Sequence, residues 1–240
     1  MIWLFLVVLR RAQEAEAGRR ESMRREILEL QLKSVRNQLD PHFTFNALNS
    51  LAALSCTGDQ EGVNRFISHF SRLLRNYLDN SDKILVRLTD ELEFLDNYIE
   101  LQRIRFDNQV SLDLAVNDDV DLERMIPKML IQTHVENAVK HGRRGTGAQG
   151  HRGTGEAGLK ILVEVRETEE GLSIVVQDNG VGRGHSGANR YESTGKGLKA
   201  LERILESVRK LYGLDFRQQI TDLVDEQGNA KGTRVEVRGA

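Results

Sequence analysis

Near residue 107 the chain changes its hydrophobic period, and that switch limits what it can fold into. Before it, apolar residues recur at helical spacing. After it, Val110 to Val116 alternates as Val-Ser-Leu-Asp-Leu-Ala-Val, the mark of a half-buried strand. An all-helical first half joined to an α/β sandwich predicts an α+β protein.

From Ala12 to about Ala53 few residues break a helix, and the segment reads as one long helix. Leu28, Leu32, Val35 and Leu39 step by 4, 3 and 4, which is a coiled-coil seam. The same step lands next on His42, Asn46 and Asn49, so the seam turns polar beside Pro41, where a kink is expected. A second helix, Glu61 to Leu78, gathers Phe66, Phe70, Leu73, Leu74 and Tyr77 on one face. The two helices form a hairpin whose core is too narrow to stand alone. Two copies would close a four-helix bundle, so a homodimer is expected. A third helix, about Asp90 to Arg105, follows an expected cap at Thr89.

In the second half Pro127 is expected to open a helix to about His141, because proline's missing N–H costs nothing at a first helical position. Gly142 to Gly158 holds seven glycines and an RGTG that occurs at Arg144 and again at Arg152, which reads as a low-complexity loop. Strands are expected over Leu159–Arg166, Leu172–Gln177, Phe216–Leu223 and Thr233–Val237, with a helix ending near Leu211.

Met1 to Leu9 are all apolar, and Arg10 and Arg11 follow. A spanning helix needs about 20 apolar residues, so this run is too short alone. Arginines behind the run fit the cytoplasmic end of a membrane helix; an interfacial or buried stub is the alternative. A formal net charge of −2 gives no case for nucleic acid, and 5% aromatics weaken any reading on stacked bases. The single cysteine, Cys56, excludes an internal disulfide and suits a reducing compartment.

Four segments carry candidate chemistry. In Leu39-Asp40-Pro41-His42-Phe43-Thr44-Phe45-Asn46, His42 follows the expected kink, and Asn46 stands one turn on, within reach of its ring. Phosphoryl transfer asks mainly for positioning and charge neutralisation, so this sparse site suffices chemically. Spacing alone equally suits a histidine that only caps or packs. In Glu136-Asn137-Ala138-Val139-Lys140-His141-Gly142, Asn137 offers a neutral oxygen for Mg²⁺, and Lys140 and His141 suit phosphates or ribose. The same residues also fit the exposed end of a helix, where cations meet the dipole. Asp178-Asn179-Gly180-Val181-Gly182 puts a carboxylate at a strand end, able to accept from an adenine amino group, with glycines for close approach; it is also ordinary turn chemistry. Ser193-Thr194-Gly195-Lys196-Gly197 leads into a helix, an anion site of low specificity, and no Walker A loop occurs. His69, His151 and His185 lack convincing zinc spacing.

In this order the segments resemble the LytS-type sensor histidine kinases of bacteria, from about Leu30 to Val237. The carrying motifs are Pro41-His42-Phe43 through Asn49, Ile126-Pro127 through Gln132, Glu136 through Gly142, Asp178 through Gly182, Gly195 through Leu198, and Gly232-Thr233-Arg234-Val235. The resemblance implies a helical hairpin of a dimeric bundle followed by a GHKL (Bergerat) sandwich. It implies ATP and Mg²⁺ as cofactors, a phosphoacceptor at His42 assisted by Asn46, Mg²⁺ at Asn137 and adenine at Asp178. It further implies a lid between about Arg183 and Thr194, with Gly195 and Gly197 at the phosphates and Gly180 and Gly182 lining the nucleotide. The expected division is 1–11, a membrane end or stub; 12–38, a linker helix; 39–106, phosphotransfer and dimerisation; and 107–240, catalysis. The expected activity is autophosphorylation of a histidine and transfer to an aspartate of a response regulator, with a LytTR-type DNA-binding domain suggested. The expected place is the bacterial cytoplasmic membrane with these domains in the cytoplasm. Where ATPase relatives such as gyrase carry a water-activating glutamate, one turn before the metal asparagine, this chain has Thr133, which disfavours hydrolysis. Thr44, His134, Lys196 and the long glycine insertion depart from the family pattern. The competing readings are a GHKL ATPase and a non-enzymatic ATP-binding scaffold.

Overall fold

In the computed structural model, which describes residues 10–11, 41–142, 158–182 and 194–239 without the side chains of 41–44, 141 and 194–196, helices lead and a mixed sheet follows. The apolar N-terminal run, the seam from Leu28 to Leu39, the kink approaching Pro41 and most of the glycine-rich insertion and lid lie outside the described residues. Among the described residues no helix is long and apolar enough to cross a membrane.

Helix α1 spans Pro41–Thr57, and α2 spans Gln60–Asp79. Asp59 caps α2, its carboxylate accepting from the Gly62 N–H at 2.8 Å. The expected face is the buried one: Phe66, Leu73 and Tyr77 are in the core, and Phe66 stacks on Phe70 at 6.1 Å. Strand β1, Leu85–Arg87, runs straight into α3, Leu88–Arg105. Phe94 of α3 meets Tyr77 edge-on at 5.1 Å and stacks on Tyr98 at 6.0 Å.

Thr89 is not the cap of α3. Arg87 holds that place, its backbone N–H donating to Asp90 Oδ2 at 3.4 Å. Two first-turn donors are satisfied by main chain instead: Leu88 donates to Arg124 O at 2.9 Å and Thr89 to Leu122 O at 3.0 Å.

After β2 (Val110–Val116) comes β3, Met125–Pro127, which pairs antiparallel with β1. Pro127 therefore ends a strand instead of opening a helix. The pairing continues as Lys128 donates to Ile84 O at 2.8 Å, and Met129, at φ +66°, turns the chain before α4 begins at Gln132. Helix α4 is Gln132–Gly142; β4 (Leu159–Thr168), β5 (Gly171–Asp178), α5 (Thr194–Tyr212), β6 (Phe216–Val224) and β7 (Ala230–Gly239) complete the order.

The main sheet runs β2-β4-β5-β7-β6, with only the β2–β4 pair parallel. Its alternation separates two faces. Ile161, Val163 and Val165 of β4 lie opposite Asp178, Val176 and Ile174 of β5, and all six are buried. The other face carries charged rows such as Arg166, Glu236 and Arg238, with Arg238 paired to Glu236 at 2.9 Å and to Glu170 at 3.3 Å. Helices α3 and α4 pack on the apolar side, α3 against β2 and α4 against β4, β5 and β7. The α+β class holds.

Candidate functional site

Three motifs far apart in sequence meet at the C-terminal end of β5. Asp178 is the last residue of that strand, 8% exposed and opposite Thr233 of β7. Burial pushes its carboxyl up from 3.8 to about 6, against the opposing pull of the Gly180 and Thr233 N–H donors, while Asp222 adds to the rise. The Gly180 N–H donates to Asp178 Oδ1 at 2.8 Å. A carboxylate held this way at a strand end is a ready acceptor for a ligand N–H.

The glycines are tight because backbone meets backbone there. A Cβ on Gly180 would lie 2.3 Å from Gly142 Cα, so the end of α4 and the Asp-Asn-Gly turn touch main chain to main chain. A Cβ on Gly232, at φ +136°, would lie 1.9 Å from the Asp178 carbonyl oxygen. Asn179 locks the turn onto β4: its N–H donates to Lys160 O at 3.2 Å, its Oδ1 accepts from Lys160 N–H at 2.7 Å, and its Nδ2 donates to Gly158 O at 3.2 Å. Gly182 follows in the left-handed region at φ +66°.

Asn137 sits half-buried in the middle of α4, and Lys140 is exposed one turn on. His141 belongs to the same helix, with its side chain outside the described residues. Gly195 falls in the first turn of α5, and Gly197 approaches α4, where a Cβ would meet Thr133 Cγ2 at 3.6 Å. Thr133 is buried, so no carboxylate occupies the place one turn before Asn137. Its neighbour His134 is also buried, and burial lowers its pKa from 6.5 to about 4, Gln218 opposing part of that fall.

His42 lies in the first turn of α1, with its side chain outside the described residues, and Asn46 is half-buried one turn on. Helix α1 packs on α2 and α3, whereas Asn137, Asp178 and the glycines gather around α4, β5 and β7.

Two acidic residues gained no role from the sequence. Glu136, next to Asn137, turns toward α2: its Oε1 accepts from Gln132 Nε2 at 2.8 Å and from the Tyr77 hydroxyl at 3.4 Å. Gln132 Nε2 also donates to the Tyr77 oxygen at 3.0 Å. Burial, then the Glu136 charge, holds the Tyr77 phenol well above its usual pKa, so it stays a donor. Glu91 of α3, 4% exposed, accepts from the N–H groups of Met129 at 2.7 Å and of Ile131 and Gln132 at 3.1 Å each. No local signal marks the Glu136–Tyr77 contact or the Glu91 contacts, because each joins residues tens of positions apart.

Fold and site together define an α+β unit in which a helical hairpin adjoins a sheet ending in a glycine-walled acceptor. The histidine kinase family model matches residues 30–110. An uncharacterized sensor-like histidine kinase of Staphylococcus epidermidis is 33% identical over 162 residues, 68% of this chain and 29% of that protein. The sensor protein LytS of Staphylococcus saprophyticus is 27% identical over 225 residues, 90% of this chain and 35% of that one. The sensor protein kinase HptS of Staphylococcus aureus is 29% identical over 166 residues, 69% and 29%. Among solved structures, the mycobacterial sensor histidine kinase MprB aligns at TM-score 0.38 and 15% identity, covering 65% of this chain and 96% of that one. The chain belongs to the sensor histidine kinases, of the LytS type. It spans 29% to 35% of the length of these curated relatives.

Proposed function

We propose that the chain is an ATP-dependent autokinase that places the γ-phosphoryl group of ATP on His42 and then hands it to an aspartate of a response regulator. The observation that carries this reading is Asp178, a buried carboxylate at a strand end, walled by Gly180, which abuts Gly142 at the end of the Asn137 helix. Its oxygen suits the exocyclic amino group of adenine. Gly180 and Gly182 give the base room, while Lys140, His141, Gly195 and Gly197 serve ribose and phosphates. In the transfer a neutral His42 ring nitrogen bonds to the γ-phosphorus as the bond to the bridging oxygen breaks and ADP leaves. Asn46 orients the ring. The regulator's aspartate oxygen then bonds to phosphorus and frees the histidine.

Among the described residues no group of three or more His, Cys, Asp or Glu is placed to hold a metal alone. The Asn137 amide oxygen, half-buried on α4, is a donor that suits Mg²⁺, which takes few protein ligands and keeps water and phosphate oxygens. Asn137 would hold it, and it would neutralise phosphate charge. Thr133 supplies no base for water, which favours transfer over hydrolysis. Phe45 and Leu48 of α1 are 67% and 52% exposed, which supports a homodimer closed through the hairpins. The apolar run before Arg10 and Arg11 supports a membrane attachment with the enzymatic part in the cytoplasm.

The test is incubation with Mg²⁺ and γ-labelled ATP. Acid-labile label on the wild type, lost in His42→Gln and in Asn137→Ala, is expected. ATP binding without label, also in a membrane-reconstituted dimer, would support a scaffold instead, and steady phosphate release an ATPase.

A further inference from the structure

None of the four residues before the helix that carries Asn137, Lys128-Met129-Leu130-Ile131, has a side-chain oxygen to cap it. Its preceding turn, Lys128 to Ile131, follows a strand and contains Met129 at φ +66°, a conformation that a side chain of this size rarely adopts. Leu130, Ile131 and Gln132 at this end of α4 are buried, away from water. Glu91 meets them from another helix. Oε1 accepts from Met129, and Oε2 accepts from both Ile131 and Gln132. The carboxylate thus fixes the turn and the helix start, and its charge lies at the positive end of the α4 dipole. Lys128, also buried, contributes a favourable charge nearby, while its Nζ donates to the Asn80 carbonyl oxygen.

Glu91 belongs to α3, which packs on α2 as well as on α4. The same α4 is held along its flank by Tyr77 of α2 through Gln132 and Glu136. Rotation of α4 about its axis would change the direction in which Asn137 points, while Gly142 at its end stays against the Gly180 turn. A single carboxylate taking three N–H groups opposes that rotation, and a neutral isostere does not. Burial pushes the Glu91 carboxyl up while the three donors and Lys128 pull it down, so the cap stands on opposed forces.

We infer that Glu91 is a positioning residue for nucleotide binding, setting the rotation of α4 so that Asn137 faces the metal–phosphate position. The inference rests on the proposed nucleotide site. Glu91→Gln keeps the shape but aims an amide N–H₂ at backbone donors. Glu91→Asp keeps the charge with a shorter reach.

The test uses the full chain and a non-hydrolysable ATP analogue, titrated once with Mg²⁺ and once with EDTA. The quantity read is the Mg²⁺-dependent gain in affinity. Glu91→Gln is expected to cut that gain about five- to tenfold, the scale of losing one charged capping interaction. Glu91→Asp is expected to restore part of it. Val208→Ala, a core truncation in the C-terminal half of α5, is the control for plain destabilisation and is expected to leave the gain intact. An unchanged gain in folded Glu91→Gln, or an equal loss in Val208→Ala, overturns the inference. If Glu91→Gln does not fold, a Glu91→Asp protein with displaced amide shifts at Met129 and Ile131 and a partly lost gain supports it, and an undiminished gain despite those displaced shifts, or a lost gain with the shifts intact, overturns it. Wild type that binds no analogue removes the nucleotide reading itself, and this inference with it.

Discussion

Gly180→Ala tests the meeting of the two motifs proposed to form the adenine end of the site. The added Cβ would stand 2.3 Å from Gly142 Cα and 2.9 Å from Asp178 Oδ1. Carbon atoms pack at roughly 3.5 to 4.0 Å, so main chain must move by more than an ångström at one of two anchored places. Asn179 pins one of them by three hydrogen bonds to β4 and Gly158, and neither motif has a flexible side chain to yield. Overpacking of this kind costs about 1 to 3 kcal/mol, and backbone against backbone belongs at the upper end. The gain from a stiffer unfolded chain, about 0.4 to 1 kcal/mol, offsets little of it. A net loss of about 2 to 3 kcal/mol corresponds to a fall of about 5 to 10 °C in melting temperature for a domain of this size. Gly213→Ala is the comparison: at φ +72° it has backbone strain, and nothing lies within 4 Å of its Cβ. It should cost about 1 to 2 kcal/mol and leave nucleotide affinity alone. Thermal melts and titration of a fluorescent ATP analogue read both effects. Gly180→Ala that melts with the wild type and binds the analogue equally well would refute the close approach.

Two further outcomes depend on protons. Folding raises the Asp178 pKa from 3.8 to about 6, so the folded state holds that proton more tightly than the unfolded chain. Its penalty is absent below about pH 4 and grows to about 3 kcal/mol as pH rises through 6. Asp178→Asn should therefore melt no lower than wild type at pH 7.5 while losing analogue binding, and a lower melting point there would contradict the burial cost. His134 behaves in the opposite way. Its folded pKa of about 4 lies below 6.5, so the unfolded chain takes up a proton that the folded one refuses, and stability falls as pH drops from 6.5 toward 4. His134→Leu should reduce that acid loss by about 2 kcal/mol at pH 5, read as the difference between denaturant melts at pH 7 and pH 5.

Long periodic segments were legible in the sequence, and short paired ones were not. Phe66, Phe70, Leu73 and Tyr77 announce a helix face because their spacing repeats over about three turns, and β4 and β5 alternate long enough to show a period of two. Strands β1 and β3 have three residues each, too few for any period, and they exist because they pair with one another. Pro127 suits a helix start and a strand end equally, and that pairing decided between them. Asp178, Gly180 and Asn137 stood out because their chemistry is local to a motif. Glu91 and Glu136 did not, since the Met129 turn that Glu91 caps and the Tyr77 that Glu136 meets lie on other elements, and a lone glutamate on a helix carries no mark of either.

The Asp-Asn-Gly turn has one more consequence. Asn179 holds Gly158 and Gly180 abuts Gly142, so two adjacent residues clamp both ends of the glycine-rich insertion. The gap that insertion must bridge is therefore set by the turn and not by the insertion's own length. Closure entropy grows only with the logarithm of length, about 0.6 kcal/mol for each doubling. Evolution, or an engineer, can thus lengthen, shorten or replace that segment as an independent cassette without disturbing the Asp178 turn.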